Sequence, residues 1–154
     1  MRNCFNETLR IEPPVSVSTL QTFTQDVEID GVKLHKGEAV FINMEAIHHN
    51  LDQWKEPARW VPDRFDPTSP WFKKPDGKPR HPMAFGPFLG GQRICLGKSL
   101  AELMARFTIP LMMWHYEFSH VDQKQKENKP LMNISGMKDC QIIMHKKKRN
   151  ALVN

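Results

Sequence analysis

The ten residues Phe88-Leu89-Gly90-Gly91-Gln92-Arg93-Ile94-Cys95-Leu96-Gly97 decide how this chain reads. They set one cysteine in a glycine-rich loop directly ahead of a long apolar-periodic segment. A cysteine at a helix N-terminus sees the positive end of the helix dipole. Arg93, two residues earlier, adds positive charge, and both features favour a thiolate. Gly90, Gly91 and Gly97 allow sharp turns and let a flat ligand come close to the backbone. Phe88 can cover one side of the sulfur. Cys95 is therefore a candidate metal ligand rather than one more inert buried thiol. A phosphate loop is the competing reading, because Gly97-Lys98-Ser99 looks like the end of G-x-x-x-x-G-K-[ST]. That motif needs a glycine where Gln92 stands, and a strand where Phe85-Gly86-Pro87-Phe88 stands. It is rejected.

The chain has 154 residues, room for one domain with a core, and carries a formal net charge of +5. Its 40% hydrophobic and 25% charged content is that of an ordinary globular protein, not a disordered one. The apolar runs are too short to span a bilayer, and the first residues hold no signal-like apolar stretch. Cys4, Cys95 and Cys140 give no C-x-x-C and no even framework, so a reducing compartment fits better than a disulfide-built secreted domain. The basic run His145-Lys146-Lys147-Lys148-Arg149 reads as a solvated terminus, and no nucleic-acid motif accompanies it. The seven histidines form no zinc frame: His48 and His49 are adjacent, and His115 and His120 lack H-E-x-x-H spacing.

Working outward from the loop, Leu100, Leu103, Met104, Phe107, Leu111 and Trp114 recur at helical spacing. They predict an amphipathic helix from about Leu96 to about His115, bent or shortened by Pro110. Residues 4–11 predict a short helix that stops before Pro13-Pro14. In it Glu7 and Arg10 share a face at i and i+3. Val27–Ile29 and Val32–Leu34 flank the Asp30-Gly31 hairpin signal. Lys36-Gly37 marks another turn, and 39–42 an apolar strand. Met44 to His49 reads as a short helix. Residues 51–83 read as an irregular meander that packs through Trp54, Trp60 and Trp71. Residues 141–145 read as a closing strand.

The loop pattern F-x-x-G-x-R-x-C-x-G is met at every fixed position and resembles the haem-binding loop of the cytochrome P450 family. Glu7-Thr8-Leu9-Arg10 before Pro13-Pro14 resembles the family's E-x-x-R helix. Pro62-Asp63-Arg64-Phe65 resembles its P-E-R-F meander element, with Asp for the usual Glu. The resemblance covers nearly the whole of residues 1–154. It implies an α+β, mainly helical fold corresponding to the C-terminal portion of that family's fold, with the distal wall and most of the substrate pocket upstream.

By the resemblance Cys95 is the axial ligand of haem b (iron protoporphyrin IX), and Arg93 pairs a haem propionate. Phe88 and Gly91 shape the loop. Leu96 and Gly97 offer backbone N–H groups to the sulfur, and Gly97 and Ala101 leave room for the porphyrin. Glu7, Arg10 and Arg64 form a buried charge network. No catalytic acid or base falls in this segment. Family members often carry a propionate-binding arginine where Gln21 stands here. The implied activity is monooxygenation of an apolar small molecule, with electrons from a reductase protein. The alternatives are a haem-thiolate sensing module and a non-functional fragment. Lys98 with Arg80, Lys78, Lys74 and Lys73 either face an acidic electron donor or are ordinary solvated charge. Any membrane anchor would lie outside this chain, and the family's usual place is the cytoplasm or the cytoplasmic face of the endoplasmic reticulum.

Overall fold

In the computed structural model, residues 1–121 and 142–147 are described. The first helix, α1, spans Arg2–Ile11 and buries Glu7, Leu9 and Arg10. Its inner face is thus mostly charged, which only a fully paired set of partners can sustain. It ends as the Glu12 N–H bonds the Thr8 carbonyl at 2.8 Å, just ahead of Pro13, and α1 packs on the meander turn Pro62–Phe65.

Four short strands follow: β1 (Gln21–Thr22), β2 (Val27–Ile29), β3 (Val32–Leu34) and β4 (Ala39–Val40). β2 and β3 form a hairpin with Val27 opposite Leu34 and Ile29 opposite Val32. Its turn residues Asp30 and Gly31 have φ of 50° and 79°, the left-handed pair that a type I′ turn requires. β1 pairs antiparallel with β4, Gln21 opposite Val40. The predicted strand over 39–42 stops at Val40, because the Ile42 carbonyl turns to the Ser18 amide at 2.9 Å. Helix α2 (Met44–His48) starts at Asn43, whose side chain accepts the Ala46 N–H at 2.9 Å.

The meander is irregular apart from short 3-10 turns at Pro62–Phe65 and Pro82–Ala84. Of its three tryptophans Trp54 is buried and Trp71 half-buried, but Trp60 is 52% exposed, contrary to the expectation that all three pack. Trp54, Phe65 and Phe85 form one aromatic cluster, with centroids 6.0, 6.5 and 4.8 Å apart. With Leu9, Met44, Val61 and Ala84 this makes the core, which sits where α1, α2, the meander and the approach to the cysteine loop meet.

Helix α3 runs Lys98–His115. It begins two residues later than the periodicity suggests, since Leu96 and Gly97 stay in the turn that leads in from Cys95. It neither stops nor shortens at Pro110. The missing proline N–H frees one carbonyl a turn earlier, and the helix hydrogen bonds on either side carry it through. Leu100, Leu103, Met104, Phe107, Leu111 and Trp114 are all exposed. The last two strands, β5 (Tyr116–His120) and β6 (Ile142–Lys146), pair antiparallel, Tyr116 opposite Lys146.

Candidate functional site

An ion cluster on α1 supports everything above it. Glu7 accepts Arg10 Nε and Nη2, each at 2.8 Å, in a bidentate pair. Its Oε1 also accepts Arg64 Nε at 3.0 Å and the Val61 N–H at 2.8 Å. The three side chains Glu7, Arg10 and Arg64 are fully buried. Other guanidinium donors go to backbone carbonyls. Arg10 reaches those of His48 (2.9 Å) and Arg59 (3.2 Å). Arg64 reaches those of Lys55, Glu56 and Arg59. Burial holds Arg64 below the ordinary arginine pKa, while the Glu7 carboxylate pulls it back up. Each arginine therefore staples a helix or a meander strand to one carboxylate.

Arg80 also belongs to this assembly, although its charge alone suggested a docking surface. It donates to the carbonyls of Trp71 (3.0 Å) and Arg64 (2.5 Å), and its guanidinium lies 4.3 Å from the Trp54 ring centroid. Arg10 lies 5.1 Å from the same ring, so two arginines use Trp54. Burial and the neighbouring Arg64 push Arg80 down to about 10. Lys74 pairs with Asp76 at 2.8 Å, and Lys78 lies 4.0 Å from the same carboxylate. Of the five cations expected on a docking face, Arg80, Lys98 and Lys73 are without an ion pair among the described residues, and of these Arg80 is committed to carbonyls.

His48 is the residue that sequence reading passed over. It is completely buried on α2, and its Nε2 accepts the Gly86 N–H at 3.2 Å. Its ring lies 5.3 Å from that of Phe85. Burial first, then the charges of Arg10 and His49, lower its pKa from 6.5 to about 4, with backbone groups of Arg10 and Leu9 opposing. The unfolded chain takes up a proton here near pH 6.5 that the folded chain refuses until about pH 4. The contribution is therefore complete above pH 6.5 and is lost as pH falls toward 4, by roughly 3 kcal/mol in all. Urea midpoints should fall over that window, and His48→Gln should flatten the slope. An unchanged slope in the variant would assign the acid sensitivity elsewhere.

The cysteine loop sits on this base. Gly86 is buried, and its carbonyl accepts the Leu89 N–H at 2.9 Å. Gly91–Arg93 forms a 3-10 turn, and Gly91 has φ of 63°, a left-handed value that suits glycine. The Cys95 N–H closes the loop onto the Phe88 carbonyl at 2.8 Å, and the Cys95 carbonyl accepts Lys98 N–H at 3.2 Å at the start of α3. Phe88 is half-buried, and Cys95 is exposed with a free thiol. A Cβ added at Gly97 would come 3.8 Å from the Cys95 sulfur, so glycine keeps that side of the sulfur clear. No N–H donates to the sulfur among the described residues. Leu96 and Leu100 are exposed, Leu96 completely, while Ala101 is half-buried. Arg93 has no hydrogen-bond or ion-pair partner among the described residues. It shares a cavity of about 280 Å³ with Gln21, Ile42, Met44 and Met83. A bare thiol, an uncommitted guanidinium and exposed apolar side chains fit a flat, apolar, anionic-edged, metal-centred group such as haem.

Fold and site together define a class of protein in which an ion-stapled helix and meander hold up a cysteine-bearing loop. Comparison with known proteins specifies it further. The family model for cytochrome P450 matches residues 1–150, and the chain belongs to the cytochrome P450 family. Cytochrome P450 734A5 of Oryza sativa subsp. japonica is 36% identical over 113 residues, covering 73% of this chain and 20% of the rice protein. Cytochrome P450 4F12 of Homo sapiens is 33% identical over 126 residues, covering 80% of this chain and 22% of the human one. Among solved structures, retinoic acid bound cyanobacterial CYP120A1 aligns with a TM-score of 0.81 at 24% identity, over 95% of this chain and 32% of that one. A zebra fish cytochrome P450 solved with progesterone gives 0.78 at 23% identity, over 95% and 31%. The chain thus spans about a fifth of the length of these curated relatives. No helix among the described residues is long and apolar enough to cross a membrane.

Proposed function

We propose that this chain builds the cysteine-bearing side of a haem site that serves monooxygenation of an apolar organic substrate. The observation that carries the reading is the composition of the segment 93–100: exposed Cys95, unpaired Arg93, and bare Leu96 and Leu100. Cys95 would ligate the iron of haem b. When bound, haem would supply the oxygen-activating iron, with a thiolate that pushes electron density onto it. Arg93 would hold a propionate by a charge-assisted bond and, with Gln21 where the family often has an arginine, would carry more of that binding. Phe88 and Gly91 would shape the loop. The N–H groups of Leu96 and Gly97 would turn to the sulfur and lower its basicity. Gly97 and Ala101 would leave the porphyrin room.

Retinoic acid and progesterone, named with two of the solved neighbours, are small molecules with mostly hydrocarbon frames, which supports a largely apolar substrate here. A reductase protein would deliver the electrons, meeting Lys98 and Lys73 rather than the half-buried, carbonyl-bonded Arg80. Residues 1–154 would cover one face of the haem, and no turnover is assigned to them alone.

Haem titration followed by absorbance tests the reading. Arg93→Gln should weaken haem binding by about ten-fold or more, the scale of one hydrogen bond to a charged group. Equal affinity in wild type and variant would remove Arg93 from the site.

A further inference from the structure

We propose that His48 is a positioning residue for Cys95: it anchors the base of the cysteine loop through a bond that only its neutral, Nδ1-protonated ring can make, so a second proton on the ring releases the loop.

One buried residue here touches both the ion cluster and the loop. The His48 carbonyl accepts Arg10 Nη1 at 2.9 Å, and its Nε2 accepts the Gly86 N–H at 3.2 Å. From Gly86 the connection runs through backbone alone. Gly86 C=O accepts Leu89 N–H at 2.9 Å, and Phe88 C=O accepts Cys95 N–H at 2.8 Å. Leu89 between them has φ of 61°, a left-handed value that leucine disfavours, so the loop is held against its local preference. The other clasp on this approach, His81 N–H on Gln53 Oε1 at 2.9 Å, is exposed. The buried bond at Gly86 is the inner one.

The tautomer follows from the geometry. A neutral ring whose Nε2 accepts a hydrogen bond from the Gly86 N–H must carry its own proton on Nδ1. Nδ1 makes no well-formed hydrogen bond, although backbone groups of Arg10 and Leu9 act on the ring. Packing alone does not account for an imidazole at this place, whereas an acceptor for Gly86 does. Once doubly protonated, Nε2 becomes a donor facing a donor, and the bond is lost. The ionisable groups about the ring are Arg10 from α1, itself paired to Glu7, and His49, the residue that caps α2. The approach residues Ala84, Phe85 and Gly86 bring no charge.

The inference on Cys95 ligation rests on the function proposed above; the loop anchoring does not. The test is hydrogen exchange of the amides of residues 86–96 in the 154-residue chain at pH 7 and pH 4.5, corrected for intrinsic rates. Wild type should lose at least ten-fold protection at the lower pH. His48→Gln, whose side-chain oxygen accepts at either pH, should lose little. His48→Phe should be unprotected at both. Residues 27–34 of the β2–β3 hairpin serve as the control. Parallel loss there would show global unfolding and overturn the proposal, as would a pH response in His48→Gln equal to wild type, or full protection in His48→Phe. Loaded with haem, reduced and exposed to carbon monoxide, His48→Phe should lose part of the red-shifted Soret band and His48→Gln should keep it. If the exchange pattern holds while wild type shows no such band, the anchoring stands and the ligand assignment falls.

Discussion

Glu7→Ala will cost about 3–5 kcal/mol of stability, the scale of breaking a buried ion pair by removing one partner. Glu7 accepts from Arg10 Nε, Arg10 Nη2, Arg64 Nε and the Val61 N–H, all in the buried interior. Removing it leaves two guanidiniums facing each other without a counter-charge, and an amide without an acceptor. Domains are stable by only about 5–15 kcal/mol, so the loss is a large share of the total. Haem content should fall with it, because the approach to the cysteine loop rests on this cluster. Glu102→Ala is the control. Its contact with Arg106 is 4.0 Å, with the arginine exposed, and should be worth no more than about 0.5 kcal/mol. Urea midpoints measure both. A Glu7→Ala midpoint within the range of the Glu102→Ala control would reduce the cluster to a surface ornament.

The chemistry-bearing loop was legible because its requirements are local. Gly91 must take a left-handed φ, Cys95 must precede a helix, and both demands show in the spacing. The Glu7–Arg10 pair was legible for the same reason, since i and i+3 lie on one helix face. That Arg64, 57 residues on, joins them was visible only through resemblance, because no periodicity links a helix to a meander. His48 and Arg80 stayed hidden for a different reason. A side chain's charge says what it can bond but not whether it is covered. Arg80 reads as a solvated cation until Trp54 and Trp71 are placed against it. His48 was one of two adjacent histidines in no motif until α2 turned it toward Gly86. Pro110 pointed to a bent or shortened helix, and α3 is not shortened: it runs on to His115. Propensity at one residue is a weak term beside a continuous helix.

Cys95→Ser is the change with the largest expected effect on function. A serine hydroxyl keeps the size of the side chain, so the loop should close as before through the Cys95 N–H and the Phe88 carbonyl. A hydroxyl at neutral pH does not replace a thiolate as a soft, electron-donating iron ligand. The variant should therefore fold as well as wild type and lose thiolate ligation completely. Cys4→Ser, at an exposed position on α1, should lose nothing.

The decisive measurement is the absorbance of the haem-loaded, reduced, carbon monoxide complex. Wild type and Cys4→Ser should show the red-shifted Soret band of a thiolate-ligated iron, and Cys95→Ser should lack it. A red-shifted band that survives in Cys95→Ser would contradict the assignment of Cys95 as the iron ligand.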